Sequence, residues 1–305
     1  AYNMGLIAKD FFQKLFPELD VSVMSPVQLD DLSQLVKPNR DLCLLLSWSG
    51  TTADMVQLAK ELQIRKVAMV AVTEKRFSDM ALAAQKSGGV ISILSGEEVT
   101  VTGVKSTLCM LLCVELFALW LAMKKGHDQE ARNELNTLPI LPDLIRQVLD
   151  DKTLEAFSKE LAGRTARSYA SLVIDGTPSG GTGREVALKL QDNSWTAIGR
   201  STDYRDALFT TPLQDKERTL VLVHATNGAR LHEARETMRV LRNKGAPFGV
   251  VTYQNRELSE MEDDGHVPCA ILPKINDELQ PIVDLAFYYR FAFYYGLAHG
   301  RKEGD

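Results

Sequence analysis

The feature that most constrains this chain is an internal repeat. The apolar run at 41–46 ends in Ser47-Trp48-Ser49-Gly50-Thr51-Thr52. A helical pattern follows on Met55, Leu58, Ala59 and Leu62, and then a second apolar run at 67–73. The same order returns later. Residues 219–223 lead into His224-Ala225-Thr226-Asn227-Gly228-Ala229, then a helical pattern on Leu231, Ala234, Met238 and Leu241, then 248–252. Each copy reads as buried strand, turn, amphipathic helix, buried strand. Short continuous apolar runs without alternation suit a parallel sheet covered on both faces. Alternation of such strands with helices predicts the doubly wound α/β class.

Both copies continue alike. Residues 88–94 and 267–272 read as one further strand in each half, and long apolar helices at 108–124 and 279–299 close the halves. The stretch 125–141 is polar and carries Gly126 and Pro139, with Pro142 just beyond. The predicted organisation is therefore a first domain at 1–126, a helical linker at 127–165 and a second domain at 166–305. The second domain opens on a strand at 169–174, followed by a glycine-rich turn at 175–183.

The 47–52 loop sits where a strand's carboxyl end meets a helix start, the place where open α/β sheets bind ligands. Free N–H groups and the positive end of the helix dipole there suit a phosphate dianion. Ser47, Ser49 and Thr52 add hydroxyl donors, and Gly50 lets backbone approach a ligand. No lysine stands in the loop, which excludes a Walker-type nucleotide loop. The plain alternative is helix capping by Ser49 or Thr52.

The net charge of −5 and isoelectric point near 5.7 argue against a nucleic-acid partner. The four cysteines form no C-x-x-C pair, so reduced thiols in a cytoplasmic protein are expected. The apolar run at 108–123 falls short of the ~18–20 residues that cross a bilayer. Glu115 also interrupts it, so a core or dimer-interface helix is expected and no membrane partner. The histidines show no metal-ligand spacing, and neither metal nor cofactor is expected. His224 matches Ser47 across the repeat, but a surface or capping role is the expectation for it.

Four segments, in order, resemble those of the double-SIS (sugar isomerase) family, which includes the isomerase half of glucosamine-6-phosphate synthase and related phosphosugar deglycases and deaminases. They are AYNMGLIAKDFFQKLF, LLSWSGTTADMVQLAK, SGEEVTVTGVKSTLCMLL and GREVALKLQD. The resemblance covers nearly the whole chain and implies two SIS domains, each a doubly wound, mainly parallel sheet flanked by helices. It also implies that Ala1 stands where a G-x-G-[TS]-S loop would end, so that the family's first strand is either cut away upstream or absent.

By this resemblance Ser47, Trp48, Ser49 and Thr52 are the phosphate positions, with Trp48 in place of a glutamine or arginine. Val101, Thr102 and Gly103 line the sugar, Gly103 standing where the synthases have serine; Glu97 and Glu98 are expected as surface charges or helix caps, with the family context favouring Glu98 as a support of the sugar loop. In GREVALKLQD, Glu185, Lys189 and Asp192 are spaced i, i+4 and i+7 and share one helical stripe. An aldose–ketose isomerase needs a base to move a proton between C1 and C2, and a carboxylate can do so. In the family that base is a glutamate, and here it is Asp192, one methylene shorter; a shift of about 1 Å costs roughly 10²-fold. The plain alternative for the stripe is an exposed salt-bridged face. The family's ring-opening histidine, supplied by a neighbouring subunit, falls at Asp206, and an ordinary aspartate only accepts protons at pH 7.

The implied function is an isomerase, deaminase or deglycase acting on an amino-sugar or ketosamine phosphate of the fructose-6-phosphate or glucosamine-6-phosphate type, working as a homodimer. The alternative is a catalytically degenerate phosphosugar sensor or scaffold module.

Overall fold

A computed structural model describes residues 1–26, 35–100, 102–195, 197–207, 209, 218–226, 228–253 and 267–302. The chain divides into two compact units, Ala1–Ala131 and Arg132–Asp305.

In the first unit α1 (Tyr2–Leu15) is followed by β1 (Leu42–Leu46), α2 (Ala53–Ile64), β2 (Ala68–Thr73), α3 (Asp79–Gln85), β3 (Gly89–Ser92) and α4 (Lys105–Lys125). The three strands among its described residues form a parallel sheet in the order β1-β2-β3, with Leu46 opposite Val72 and Val72 opposite Ile91. One face of the sheet buries Leu45, Met69 and Ala71 against Leu58 and Leu62 of α2 and Met80 and Ala84 of α3. On the other, α4 packs on α1 and β2. The helix is apolar on nearly all sides, so a helix with no polar face becomes core.

At 21 residues α4 is longer than the sequence run suggested, and it is long and apolar enough to cross a membrane by length and composition. The unit nevertheless buries Met110, Leu111, Val114, Ala118 and Leu119 from it, together with Glu115. Leu116 and Trp120 remain exposed on its outer side.

The second unit contains α5 (Asp128–Thr137, whose first residues belong to the first unit), α6 (Leu141–Asp150), α7 (Lys152–Arg164), β4 (Ala170–Asp175), α8 (Gly181–Ser194), β5 (Ile198–Thr202), α9 (Tyr204–Ala207), β6 (Thr219–Ala225), α10 (Leu231–Asn243), β7 (Gly249–Tyr253), β8 (Cys269–Leu272) and α11 (Gln280–Ala298). Its strands are all parallel, in the order β5-β4-β6-β7-β8. Every residue of β6 is buried, as the apolar run at 220–223 predicts for its middle. One sheet face packs Leu172, Val221 and Val223 on Leu231, Met238 and Leu241 of α10. The other is covered by α7, α8 and α11, whose Phe157, Phe287 and Phe291 form an aromatic cluster. The helices at 141–164, read from sequence as linker, pack on α11.

In this order β4 is the first strand of its sheet, and the chain then moves to β5 on one side and β6 on the other. The topological switch point, where open α/β sheets form their ligand crevice, therefore lies at the carboxyl ends of β4 and β6.

Candidate functional site

The 47–52 loop leaves β1 at its carboxyl end and delivers Thr52 to the N-cap of α2. The loop is fixed to the next strand: the Thr73 hydroxyl and the Glu74 amide donate to the Trp48 carbonyl at 2.9 and 3.0 Å. The Gly50 amide donates to Ser47 Oγ at 3.2 Å, and the Met80 amide donates to the Gly50 carbonyl at 3.3 Å. Gly50 is required here. Its φ is +62°, and a Cβ would lie 2.0 Å from Ser78 Oγ.

The capping alternative holds only in part. Ser49 Oγ accepts from the Thr51 amide at 3.2 Å and the Thr51 hydroxyl at 3.1 Å, a local turn bond. The Thr52 side chain makes no capping bond. Among the described residues, the amides of Thr52, Ala53, Asp54 and Met55 have no protein acceptor. The loop thus presents a helix N-terminus uncapped by its own side chain, flanked by hydroxyls, which is a chemical match for an oxyanion.

Trp48 is half-buried, and its buried indole N–H has no hydrogen-bond partner among the described residues. Lys75 Nζ lies 5.4 Å from the centre of its ring.

The loop expected to line the sugar is braced by Glu98. Its carboxylate accepts from the Ser106 amide and hydroxyl, both at 2.8 Å, and from the Thr100 hydroxyl at 2.7 Å. Burial alone would raise the Glu98 pKa, but these donors favour the ion and hold it down at about 2. Thr102 is half-buried, and Gly103 takes φ +64° with its carbonyl accepting from the Thr107 hydroxyl at 2.6 Å. Val101 lies outside the described residues.

The carboxylate stripe of α8 belongs to the second unit, and the exposed salt-bridged face considered from sequence is not what the structure has. Glu185 and Lys189 are 2% and 5% exposed. Lys189 Nζ lies 3.5 Å from Glu185 Oε1, and the Tyr289 hydroxyl of α11 donates to the same oxygen at 3.2 Å. The spacing was legible, but the aromatic helix that covers it was not. Asp192, one turn on, is half-buried and has a pKa raised above the usual carboxylate range. Burial is the main cause; Lys189 opposes it and Glu185 adds to it. A carboxylate so shifted is a stronger base than an exposed one.

Asp206 is exposed on the short α9, whose neighbour Asp203 is held by Arg230 at 2.5 Å.

The surface role expected for His224 is also overturned. The ring is 1% exposed. Nδ1 faces Asp175 Oδ1 at 3.1 Å, Nε2 faces Asp284 Oδ2 at 2.9 Å, and Thr226 Oγ1 lies 2.8 Å from Nε2. Burial alone would lower its pKa, but two carboxylates push it up to about 10. Asp175 is fully buried, yet its pKa is held below the usual range by His224 and by Thr177. Sequence carried one signal for this cluster, the register of His224 with Ser47, but its partners lie 49 and 60 residues away.

No group of three or more His, Cys, Asp or Glu able to hold a metal occurs among the described residues. The four cysteines are free, and burial pushes the Cys43 and Cys113 thiols up to about 11.

Fold and site together define a two-unit, doubly wound α/β protein with a candidate ligand loop after a parallel strand. Residues 6–120 match the model of the SIS domain. The chain is 30% identical over 201 residues to the glutamine–fructose-6-phosphate aminotransferase (isomerizing) of Rhizobium leguminosarum bv. viciae, covering 64% of this chain and 31% of that protein. It is 23% identical to the aminotransferase of the same name from Caldanaerobacter subterraneus subsp. tengcongensis over 98% of this chain and 48% of the relative. It therefore spans half or less of these relatives. Its fold superposes on the C-terminal domain of glucosamine-fructose-6-phosphate aminotransferase from Francisella tularensis with a TM-score of 0.86 at 18% identity, covering 98% of this chain and 82% of that one. Residues 6–120 thus match an SIS domain, and the chain as a whole has the SIS-type fold, with a parallel sheet flanked by helices in each unit.

Proposed function

We propose that this chain binds a phosphosugar of the fructose-6-phosphate or glucosamine-6-phosphate type and acts on it as an isomerase, deaminase or deglycase. The 47–52 loop takes the phosphate: Ser47, Ser49 and Thr52 offer hydroxyls, and the first turn of α2 offers backbone amides without protein acceptors. Thr102 and Gly103 stand in the loop that Glu98 braces beside the sugar, with Val101 proposed on the family motif alone.

The observation that carries the enzymatic reading is the buried Glu185–Lys189 pair with Asp192 beside it. Burying such charges is costly, so they are retained where they serve chemistry more often than elsewhere. Asp192, as base, takes the proton from one carbon of the open-chain sugar and returns it to the next, while Lys189 and Glu185 fix its charge environment. No cofactor enters this chemistry. A homodimer is proposed through the outer face of α4, where Leu116 and Trp120 are exposed, and a cytoplasmic setting through the four free thiols.

A second reading, a sensor without turnover, is favoured by one observation: Asp206, at the position of the family's histidine, is an exposed carboxylate. Two measurements separate the readings. Fructose 6-phosphate at about 100 times its dissociation constant should stabilise the chain by about 2.7 kcal/mol in a thermal melt, and Ser49→Ala with Thr52→Ala should abolish the shift. An unchanged shift in that variant removes the loop from the site. Deuterium uptake from solvent at C1 or C2 of the sugar supports the enzyme, whereas binding without uptake supports the sensor.

A further inference from the structure

The crevice at the carboxyl ends of β4 and β6 is the natural ligand position of the second unit, and the chain fills it with its own side chains. Asp175 ends β4 and His224 lies near the end of β6, and the two face each other across that crevice at 3.1 Å. Asp175 also does at the start of α8 what a bound anion does at a helix N-terminus. Its Oδ2 accepts from the Gly183 amide at 2.7 Å and from the Thr177 hydroxyl at 2.7 Å. The fit is close, since a Cβ on Gly183 would lie 2.5 Å from Asp175 Cβ. Glu185 is two residues further along the same helix.

From the other ring nitrogen the contacts run to α11. Asp284 faces His224 Nε2 at 2.9 Å, accepts from Thr226 Oγ1 at 2.9 Å and from Gln280 Nε2 at 2.8 Å. Tyr288 lies edge-on to the imidazole with ring centres 5.5 Å apart. The next residue, Tyr289, donates to Glu185. The contacts therefore close a circuit: β4, the first turn of α8, Glu185, Tyr289, α11, Asp284 and back through His224 to Asp175.

We propose that His224 is a positioning residue for the Glu185–Lys189 pair, locking the seat of α8 to the helix that delivers Tyr289. The inference deepens the enzymatic reading above and rests on it for its kinetic readout. The titratable groups facing the imidazole are Asp175 from β4 and Asp284 and Tyr288 from α11, and the hydroxyl of Tyr204 from α9 donates to the His224 carbonyl at 2.5 Å. As a doubly hydrogen-bonded imidazolium, His224 neutralises one of two buried carboxylates, and a neutral side chain that bonds only one of them leaves the other without its partner.

The test uses the full chain, with His224→Gln as the main variant and Asp284→Asn as a milder one that keeps an acceptor for the ring N–H. Binding of fructose 6-phosphate by titration calorimetry should stay within about twofold in both, since the 47–52 loop belongs to the other unit. Deuterium uptake at the sugar carbons should fall about tenfold or more in His224→Gln, with a shifted pH profile, and recover to within about threefold in Asp284→Asn. Wild-type uptake with an unshifted profile in His224→Gln overturns the proposal.

Should the wild-type chain bind the sugar without exchanging deuterium, the enzymatic reading fails by itself, and the positioning role is then read from amide hydrogen exchange. Peptides covering 181–189 should exchange about tenfold faster in His224→Gln while those of β1, β2 and β3 stay unchanged. Unaltered protection of 181–189 overturns the proposal on that readout too.

Discussion

Replacing Gly50 with alanine tests the geometry of the loop at one atom. Gly50 sits at φ +62°, and forcing a residue with a Cβ into that region costs about 1–2 kcal/mol. The added methyl would lie 2.0 Å from Ser78 Oγ and 2.8 Å from Ser78 Cβ, so Ser78 must move. Ser78 is the N-cap of α3, where its hydroxyl accepts from the Ala81 amide at 3.4 Å, and losing a cap costs about 1 kcal/mol. The expected destabilisation of the first unit is about 2–3 kcal/mol, the sum of those two contributions. Urea unfolding followed by Trp48 and Trp120 fluorescence in a Trp195→Phe background reports on that unit alone. The double variant Gly50→Ala with Ser78→Gly removes the clash but not the backbone strain, so it should recover about 1 kcal/mol. Gly50→Ala with stability within about 0.5 kcal/mol of wild type would refute the reasoning, because a surface substitution without special constraints has an effect of that size.

Other outcomes follow from the buried charges. Lys189→Met breaks the buried Glu185–Lys189 ion pair and should destabilise the second unit by about 3–5 kcal/mol, whereas adding Glu185→Leu should restore most of it; a Lys189→Met effect below about 1 kcal/mol in urea unfolding would contradict this. The His224 cluster makes stability fall on both sides of neutrality. The His224 pKa is raised from 6.5 to about 10, so its contribution is complete below pH 6.5 and is lost as pH rises through about 10. The Asp175 pKa is lowered, so its contribution is present above its ordinary value of 3.8 and is lost as pH falls below it. Urea midpoints measured from pH 3 to pH 11 should therefore show a plateau near neutrality with losses at both ends, and an alkaline limb as flat in wild type as in His224→Gln would contradict the assignment.

What the sequence disclosed depended on locality. The strands β2, β6 and β7 were legible because a strand covered on both faces reads as an apolar run, β1 because its residues are apolar although Leu45 alone of them is fully buried, and the 47–52 loop because its residues are contiguous. β5 was not, since Ile198, Gly199, Arg200, Ser201 and Thr202 on the sheet edge carry little apolar signal. The i, i+4, i+7 spacing of Glu185, Lys189 and Asp192 gave their common stripe correctly but said nothing of burial. That is decided by Tyr289, 104 residues from Glu185. His224 escaped for the same reason. A lone histidine at a strand end has no periodicity, and only the β5-β4-β6-β7-β8 order brings Asp175 alongside it. The apolar run at 108–123 understates α4 because charged residues bound it, whereas the helix itself extends through Lys105 and Lys124.

A crystal structure with fructose 6-phosphate bound tests the central claim most directly. Phosphate oxygens within hydrogen-bond reach of the Thr52, Ala53, Asp54 and Met55 amides, about 2.7–3.2 Å, are the expected result. A sugar phosphate seated elsewhere, with the Trp48 indole closing the mouth of the loop, would contradict it.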